Sequence, residues 1–212
     1  MHALIIGATG ATGKDLVQVI LSDTRYTSIT LFVRKFSGVT HPKIKEIITD
    51  FDNLEAVAEH IQGDVWFSCL GTTLKAAGSK AKQWHIDYEI PLQFAQLAKR
   101  NGVPAAVLLS SYGARATSSN FYSQMKGKLE DVIDSLAFKQ YIIFRPGLLL
   151  RPDTDRMGER VATIFLNFLN SLGLLRKFKP IPTSLLAEKL ANAPVTLSTG
   201  QHVVELDEIF KF

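Results

Sequence analysis

The chain has 212 residues, 46% of them hydrophobic and 21% charged, with a formal net charge of +4. This length suits one ordinary domain with a real core, and this balance excludes a disordered chain. Lys and Arg are scattered, and the densest group, Arg176-Lys177-Phe178-Lys179, reads as a solvated turn, so no nucleic-acid partner is expected.

In chain order, the first short apolar run is Ala3–Ile6, the pattern of a strand buried on both faces. A glycine-rich loop follows, and Leu16, Val17, Ile20 and Leu21 then repeat at helical spacing. Ile29–Val33 and Ile44–Thr49 read as the second and third strands. Asn53 caps an expected helix that stops near Gly63. Val65–Leu70 is the fourth strand. A longer helical pattern runs from about Lys82 to Arg100, and Pro91 inside it either kinks it or marks its start. Ala105–Leu109 and Tyr141–Phe144 complete the strands, with a helix from about Tyr122 to Ser135 between them.

Strands alternating with helices predict an α/β fold built on a doubly wound parallel sheet of the Rossmann type. After Pro146 the pattern changes to a polar loop, Arg151 to Gly158, an amphipathic helix, Val161–Leu175, and then Lys179-Pro180-Ile181-Pro182. Residues 151–212 are expected to form a small C-terminal cap on the substrate side of a single 1–212 domain.

Cys69 is the sole cysteine, so no internal disulfide forms. The histidines at 2, 41, 60, 85 and 202 show no ligand spacing with Cys, Asp or Glu, and no metal site is expected. The start, Met1 to Gly7, lacks a signal-peptide pattern. Val161–Leu175 is shorter than the roughly 20 residues that span a bilayer. A cytoplasmic protein without a membrane span is the expectation.

Gly7-Ala8-Thr9-Gly10-Ala11-Thr12-Gly13 lies between the first strand and the first helix. In that setting one glycine permits a tight turn, one lets backbone approach a pyrophosphate, and one allows close helix–strand packing. The helix N-terminus adds N–H donors and partial positive charge, and Thr9 and Thr12 add hydroxyls. Arg34-Lys35 directly follows the second strand, and no Asp or Glu lies between Ile29 and Thr40. That strand end meets the adenosine ribose, where a basic pair suits the 2′-phosphate of NADP(H). Asp50 and Phe51 follow the third strand and either flank the adenine or serve the loop. Leu70-Gly71 ends the fourth strand, where backbone can lie against the cofactor.

Tyr122 and Lys126 are four apart on an expected helix and share a face. A neighbouring ammonium favours the phenolate form of a tyrosine. Such a tyrosine exchanges a proton with a substrate oxygen while hydride moves to or from nicotinamide. Ser110-Ser111 ends the fifth strand, and Ser111 is the preferred residue to orient a substrate carbonyl.

With these residues in hand, the chain resembles the short-chain dehydrogenase/reductase superfamily in its atypical branch. Within it, the chain is similar to the Tat-interacting-protein group of NADPH-binding proteins. The stretches that carry the likeness are Cys69 to Thr73, Leu109-Ser110-Ser111, Ser118 to Phe121, Tyr122 to Gly127, and Phe144-Arg145-Pro146-Gly147. The resemblance implies cofactor contacts from Thr9 to Thr12, Arg34, Lys35, Leu70, Gly71, Tyr122, Lys126 and Leu149. It departs from the main branch near Asp87, where that branch often carries Asn, and the Ser–Tyr spacing is slightly short.

Two functions follow. The first is an NADP(H)-dependent oxidoreductase acting on a small carbonyl or alcohol substrate, with Tyr122 as general acid/base, Lys126 as its activator and Ser111 as orienter. The second is an NADPH-binding sensor that acts through a protein partner or as a homodimer. Ile164, Phe165, Phe168, Leu169 and Leu172 form an apolar stripe that would serve either core packing or that partner. A nucleotide-sugar epimerase is a third reading, for which the cap is small.

Overall fold

The computed structural model describes residues 1–150 and 176–212. The polar loop and amphipathic helix expected within 151–175 lie outside the described residues.

Among the described residues nine strands form, β1 (His2–Ile6), β2 (Ser28–Val33), β3 (Ile44–Ile48), β4 (Val65–Ser68), β5 (Ala105–Leu109), β6 (Gln140–Arg145), β7 (Leu149–Leu150), β8 (Ile181–Pro182) and β9 (Gly200–Glu205). Seven of them make one parallel sheet in the order β3-β2-β1-β4-β5-β6-β9. β7 and β8 pair separately, also in parallel.

The helices are α1 (Ala11–Ser22), α2 (Leu74–Ala77), α3 (Lys80–Trp84), α4 (Ile90–Arg100), α5 (Phe121–Ser135), α6 (Thr183–Thr196) and α7 (Glu208–Lys211). They cover both faces of the sheet, and this explains the near-continuous apolar strands. Ala3 and Ile5 enter one core with Leu16, Val17 and Ile20 of α1 and Leu186 and Leu190 of α6. Leu4 and Ile6 enter the other with Phe94 of α4 and Leu129 and Ile133 of α5. The fold is therefore a doubly wound, Rossmann-type α/β sheet.

Three expectations change. The segment after Asn53 is a 3-10 helix, Leu54–His60, and the Asn53 side chain does not cap it. Leu54 is its one buried side chain, and the Asn101 amide takes the Ala58 and Ile61 carbonyls at 2.7 and 3.0 Å. A helix with little to bury and its last carbonyls claimed from outside has small reason to extend.

The helical pattern near Pro91 begins at Lys80, where the Ser79 hydroxyl accepts from the Lys82 N–H. It continues through a π turn, His85–Glu89, in which the Ile90 N–H reaches the His85 carbonyl. Proline has no N–H for the ordinary ladder, and the wider turn just before Pro91 absorbs that loss. The turn also carries Asp87 inside. It is 0% exposed, with Oδ1 accepting the Thr72 N–H at 2.8 Å and Oδ2 left without a partner. Burial raises its pKa above the ordinary carboxylate value, and nearby Lys126 and the Thr72 N–H pull the other way.

Part of the 151–212 span, expected as a cap, belongs to the sheet and its flanking layer. β9 joins the main sheet beside β6, and α6 packs against α1 in the flanking layer. Buried Tyr26 fastens α6 by donating to the Ala191 carbonyl at 2.7 Å.

α5 approaches the preceding loop through Gly127. A Cβ there would stand 2.2 Å from the Arg115 carbonyl carbon and 2.3 Å from the Ala116 nitrogen. Gly127→Ala is expected to lower unfolding free energy by about 1–3 kcal/mol, read from urea melts, because backbone on both sides has to move. Asp87→Asn keeps an oxygen for the Thr72 N–H and cannot ionise. A raised acid contributes stability that is complete below the ordinary carboxylate pKa and is lost as pH rises through the raised value. The stability of Asp87→Asn relative to wild type is therefore expected to increase as pH rises above the ordinary carboxylate pKa of about 4. An identical pH dependence for the two proteins in the same melts would show that Asp87 is not the group responsible.

Candidate functional site

The C-terminal ends of β1, β4 and β5 open onto one cavity of about 580 Å³. Ligands of doubly wound sheets bind at this edge.

The floor is the glycine loop. Gly7 has φ +80, and a Cβ there would stand 2.5 Å from the Cys69 carbonyl carbon. A Cβ on Gly13 would stand 2.1 Å from the Gly7 carbonyl oxygen. These two glycines bring α1 down onto the end of β1. Between them the Gly10 N–H donates to the Gly7 carbonyl at 3.0 Å. Gly10, Ala11 and Thr12 line the cavity, with Thr9 exposed beside them. A loop closed this tightly, with exposed Gly10 and Ala11 at the start of a twelve-residue helix, fits a dinucleotide pyrophosphate.

Leu70 and Gly71 line the cavity as expected of the fourth strand's end. Two buried side chains of one helical stretch clamp both backbone groups of Thr72. Asp87 accepts the Thr72 N–H, and the Gln83 amide donates to the Thr72 carbonyl at 3.0 Å. The loop beside a cofactor is thus set from behind.

Tyr122 and Lys126 come from α5 and both line the cavity. The Asn120 side chain starts the helix by accepting the Ser123 N–H at 3.1 Å. Lys126 is 2% exposed. Neither the Tyr122 hydroxyl nor the Lys126 ammonium has a hydrogen-bond partner among the described residues. Cys69, on the same wall, stays a thiol, because burial pushes its pKa up to about 12. Leu149 of β7 lies opposite on the lining.

Of the serine pair, Ser110 lines the cavity and Ser111 does not. The Ser110 hydroxyl donates to the Glu130 carboxylate, itself 3% exposed on α5. Arg145 grips Glu130 through Nη2 at 2.6 Å and Nε at 3.2 Å, and touches Glu205 of β9 at 3.5 Å. The Ser110 proton is therefore committed, whereas the Ser111 hydroxyl makes only a 3.3 Å contact to the Tyr112 carbonyl. Glu130 and Arg145 were not singled out as site residues. An acid one turn beyond Lys126 was the available signal.

Besides Ser111 and the loop residues Gly7, Thr9 and Gly13, four predicted residues stand apart from the cavity lining. Arg34 and Lys35 are exposed at the end of β2. A carboxylate from β3 also reaches this loop, since Glu46 accepts from the Ser37 N–H and hydroxyl. Asp50 makes a turn, its Oδ1 accepting the Asp52 N–H at 3.0 Å, and half-buried Phe51 packs on the core. Among the described residues no group of His, Cys, Asp and Glu could hold a metal, and no helix is long and apolar enough to cross a membrane.

Comparison with known proteins agrees with this geometry. Residues 7–163 match the NAD(P)H-binding family. The protein FMP52-1, mitochondrial, of Scheffersomyces stipitis is 36% identical over 198 residues, covering 92% of this chain and 84% of the relative. The rat protein HTATIP2 is 38% identical over 170 residues, covering 78% of this chain and 70% of the relative. The crystal structure of UDP-glucose 4-epimerase from Thermotoga maritima superposes with a TM-score of 0.73 at 13% identity, covering 100% of this chain and 81% of that one, which bears on the fold alone. The expectation of a cytoplasmic protein is overturned, because the FMP52 relatives, from Candida albicans and Saccharomyces cerevisiae as well, are named mitochondrial. The pattern on which that expectation rested, the lack of a secretory start, says nothing of organelles. The likeness to short-chain dehydrogenases/reductases and to the Tat-interacting-protein group stands, and the chain belongs to the NAD(P)H-binding family.

Proposed function

We propose that the protein is an NADP(H)-dependent oxidoreductase acting on a small carbonyl or alcohol substrate. The observation that carries this reading is the pair Tyr122 and Lys126, four residues apart on α5, both on the wall of the cavity floored by the glycine loop. When bound, a nicotinamide cofactor supplies or accepts the hydride. Tyr122 gives its proton to the carbonyl oxygen as the carbon is reduced, and takes it back in the reverse direction. Lys126 stabilises the phenolate left behind and would also hold the nicotinamide ribose. Ser111, whose proton is not committed to a carboxylate, would orient the carbonyl. Gly7, Thr9 to Gly13, Leu70, Gly71 and Leu149 would enclose the cofactor, and Asp50 and Phe51 would border its adenine end.

Arg34 and Lys35 support NADP(H) over NAD(H), since two exposed cations at the end of β2 suit a 2′-phosphate. The names of the fungal relatives support mitochondria as the place of action.

Calorimetry with NADPH and NADH tests the cofactor. NADPH is expected to bind more tightly, and Arg34→Ala to weaken NADPH by about tenfold with little effect on NADH. Equal affinity of the wild type for the two cofactors would remove Arg34 from this role. Tyr122→Phe is expected to lower kcat by about a hundredfold or more on any carbonyl that the wild type reduces. Retained turnover in that variant would assign the proton to another group.

A further inference from the structure

On the oxidoreductase reading, we infer that the substrate carries an oxyanion, a carboxylate or phosphate, received at the cavity rim by Lys80, Thr73 and Asn120. All three line the cavity. The charged residues of the described lining are Lys80 and Lys126, and no carboxylate joins them. Asp87, the buried acid nearby, lies outside that lining with Oδ1 on the Thr72 peptide. Lys126 has its work with Tyr122. Lys80 does not. It is exposed at the rim, its Nζ 5.3 Å from the centre of the Phe121 ring, and no carboxylate pairs with it among the described residues.

In each of the two neutral groups the oxygen is already engaged by a backbone N–H. The Thr73 hydroxyl oxygen accepts the Ala76 N–H at 3.2 Å, so its own proton remains to be given. The Asn120 side-chain oxygen accepts the Ser123 N–H at 3.1 Å, so its NH₂ group remains. An ammonium, a hydroxyl proton and an amide NH₂ make a rim of donors. A group bearing only acceptors suits such a rim, and carboxylates and phosphates are such groups.

Position also restricts the substrate. Lys80 and Tyr122 line the same cavity, so an ammonium and the proposed proton donor open onto one space. The anionic group and the reacting carbonyl then belong to one small molecule. The cofactor's own phosphates have the N-terminus of α1 and the glycine loop.

Calorimetry on the NADP⁺-loaded protein tests this without turnover. The probes are two matched pairs, 4-carboxybenzaldehyde with benzaldehyde and glycolaldehyde phosphate with glycolaldehyde. At least one charged member is expected to bind about fivefold more tightly than its neutral partner, and the preferred pair tells carboxylate from phosphate. Lys80→Met, at an exposed position, is expected to erase that ratio. Asn120→Asp keeps a good helix cap while replacing donors with negative charge, and is expected to reverse the ratio. Equal binding within both pairs would overturn the inference and leave the oxidoreductase reading standing. A Lys80→Met protein that loses NADP⁺ affinity instead would overturn it too, by assigning Lys80 to the cofactor. A wild-type chain that binds neither NADP⁺ nor NADPH would remove both.

Discussion

The site depends on one contact of backbone with backbone. Gly13, in the first turn of α1, lies so close to Gly7 that a single added carbon would overlap the Gly7 carbonyl oxygen. Gly7 in turn leaves no room for a side chain against Cys69 at the end of β4. Helix, first strand and fourth strand are thus locked together where the loop turns. Gly127 does the same for α5 against residues 115 and 116. Two glycine contacts, one on each side of the sheet, fix the floor and the wall that carries Tyr122 and Lys126. Close-packed interiors transmit such constraints, because backbone has no rotamer to yield.

A second consequence is electrostatic. Lys126, Glu130, Asp87 and Ser110 are all buried around one cavity. Buried charges cost stability unless they are paired. Glu130 is paired, with Arg145 on one side and Ser110 on the other. Asp87 is half satisfied, and Lys126 has no described partner. Of these four, the paired Glu130 and Ser110 hold α5 against β5 and β6, while Lys126 lines the cavity and Asp87 adjoins it. Such a division is expected of a fold that gives up some stability to keep a site ready.

Much of this was legible from residue order. Strands buried on both faces read as short apolar runs, so β1, β2, β4, β5 and β6 stood out. The glycine loop was recognisable because its place between a strand and a helix is part of its chemistry. β9 was missed for a physical reason. It is an edge strand, and Gly200-Gln201-His202 faces water as much as protein. The π turn at His85–Glu89 was invisible because its signal, a proline, is equally a helix start. The Ser110–Glu130–Arg145 group joins three elements across the fold, which spacing along the chain cannot show. Tyr122 and Lys126 share one helix, and there spacing is enough.

The strand order also governs how the chain must assemble. β1 is first in sequence yet central in the sheet, and Ala3 pairs with Val65 of β4. No central pair can close until the intervening strands and the glycine loop have been brought round. Parallel pairings of this range are slow to form, since the loop entropy is lost before the contact is gained. During that interval Val65, Trp66 and Phe67, all fully buried at the end, are open to water and to other chains. The arrangement that places a ligand cavity at the middle of the sheet therefore also lengthens the time for which the newborn chain carries its central strand unburied.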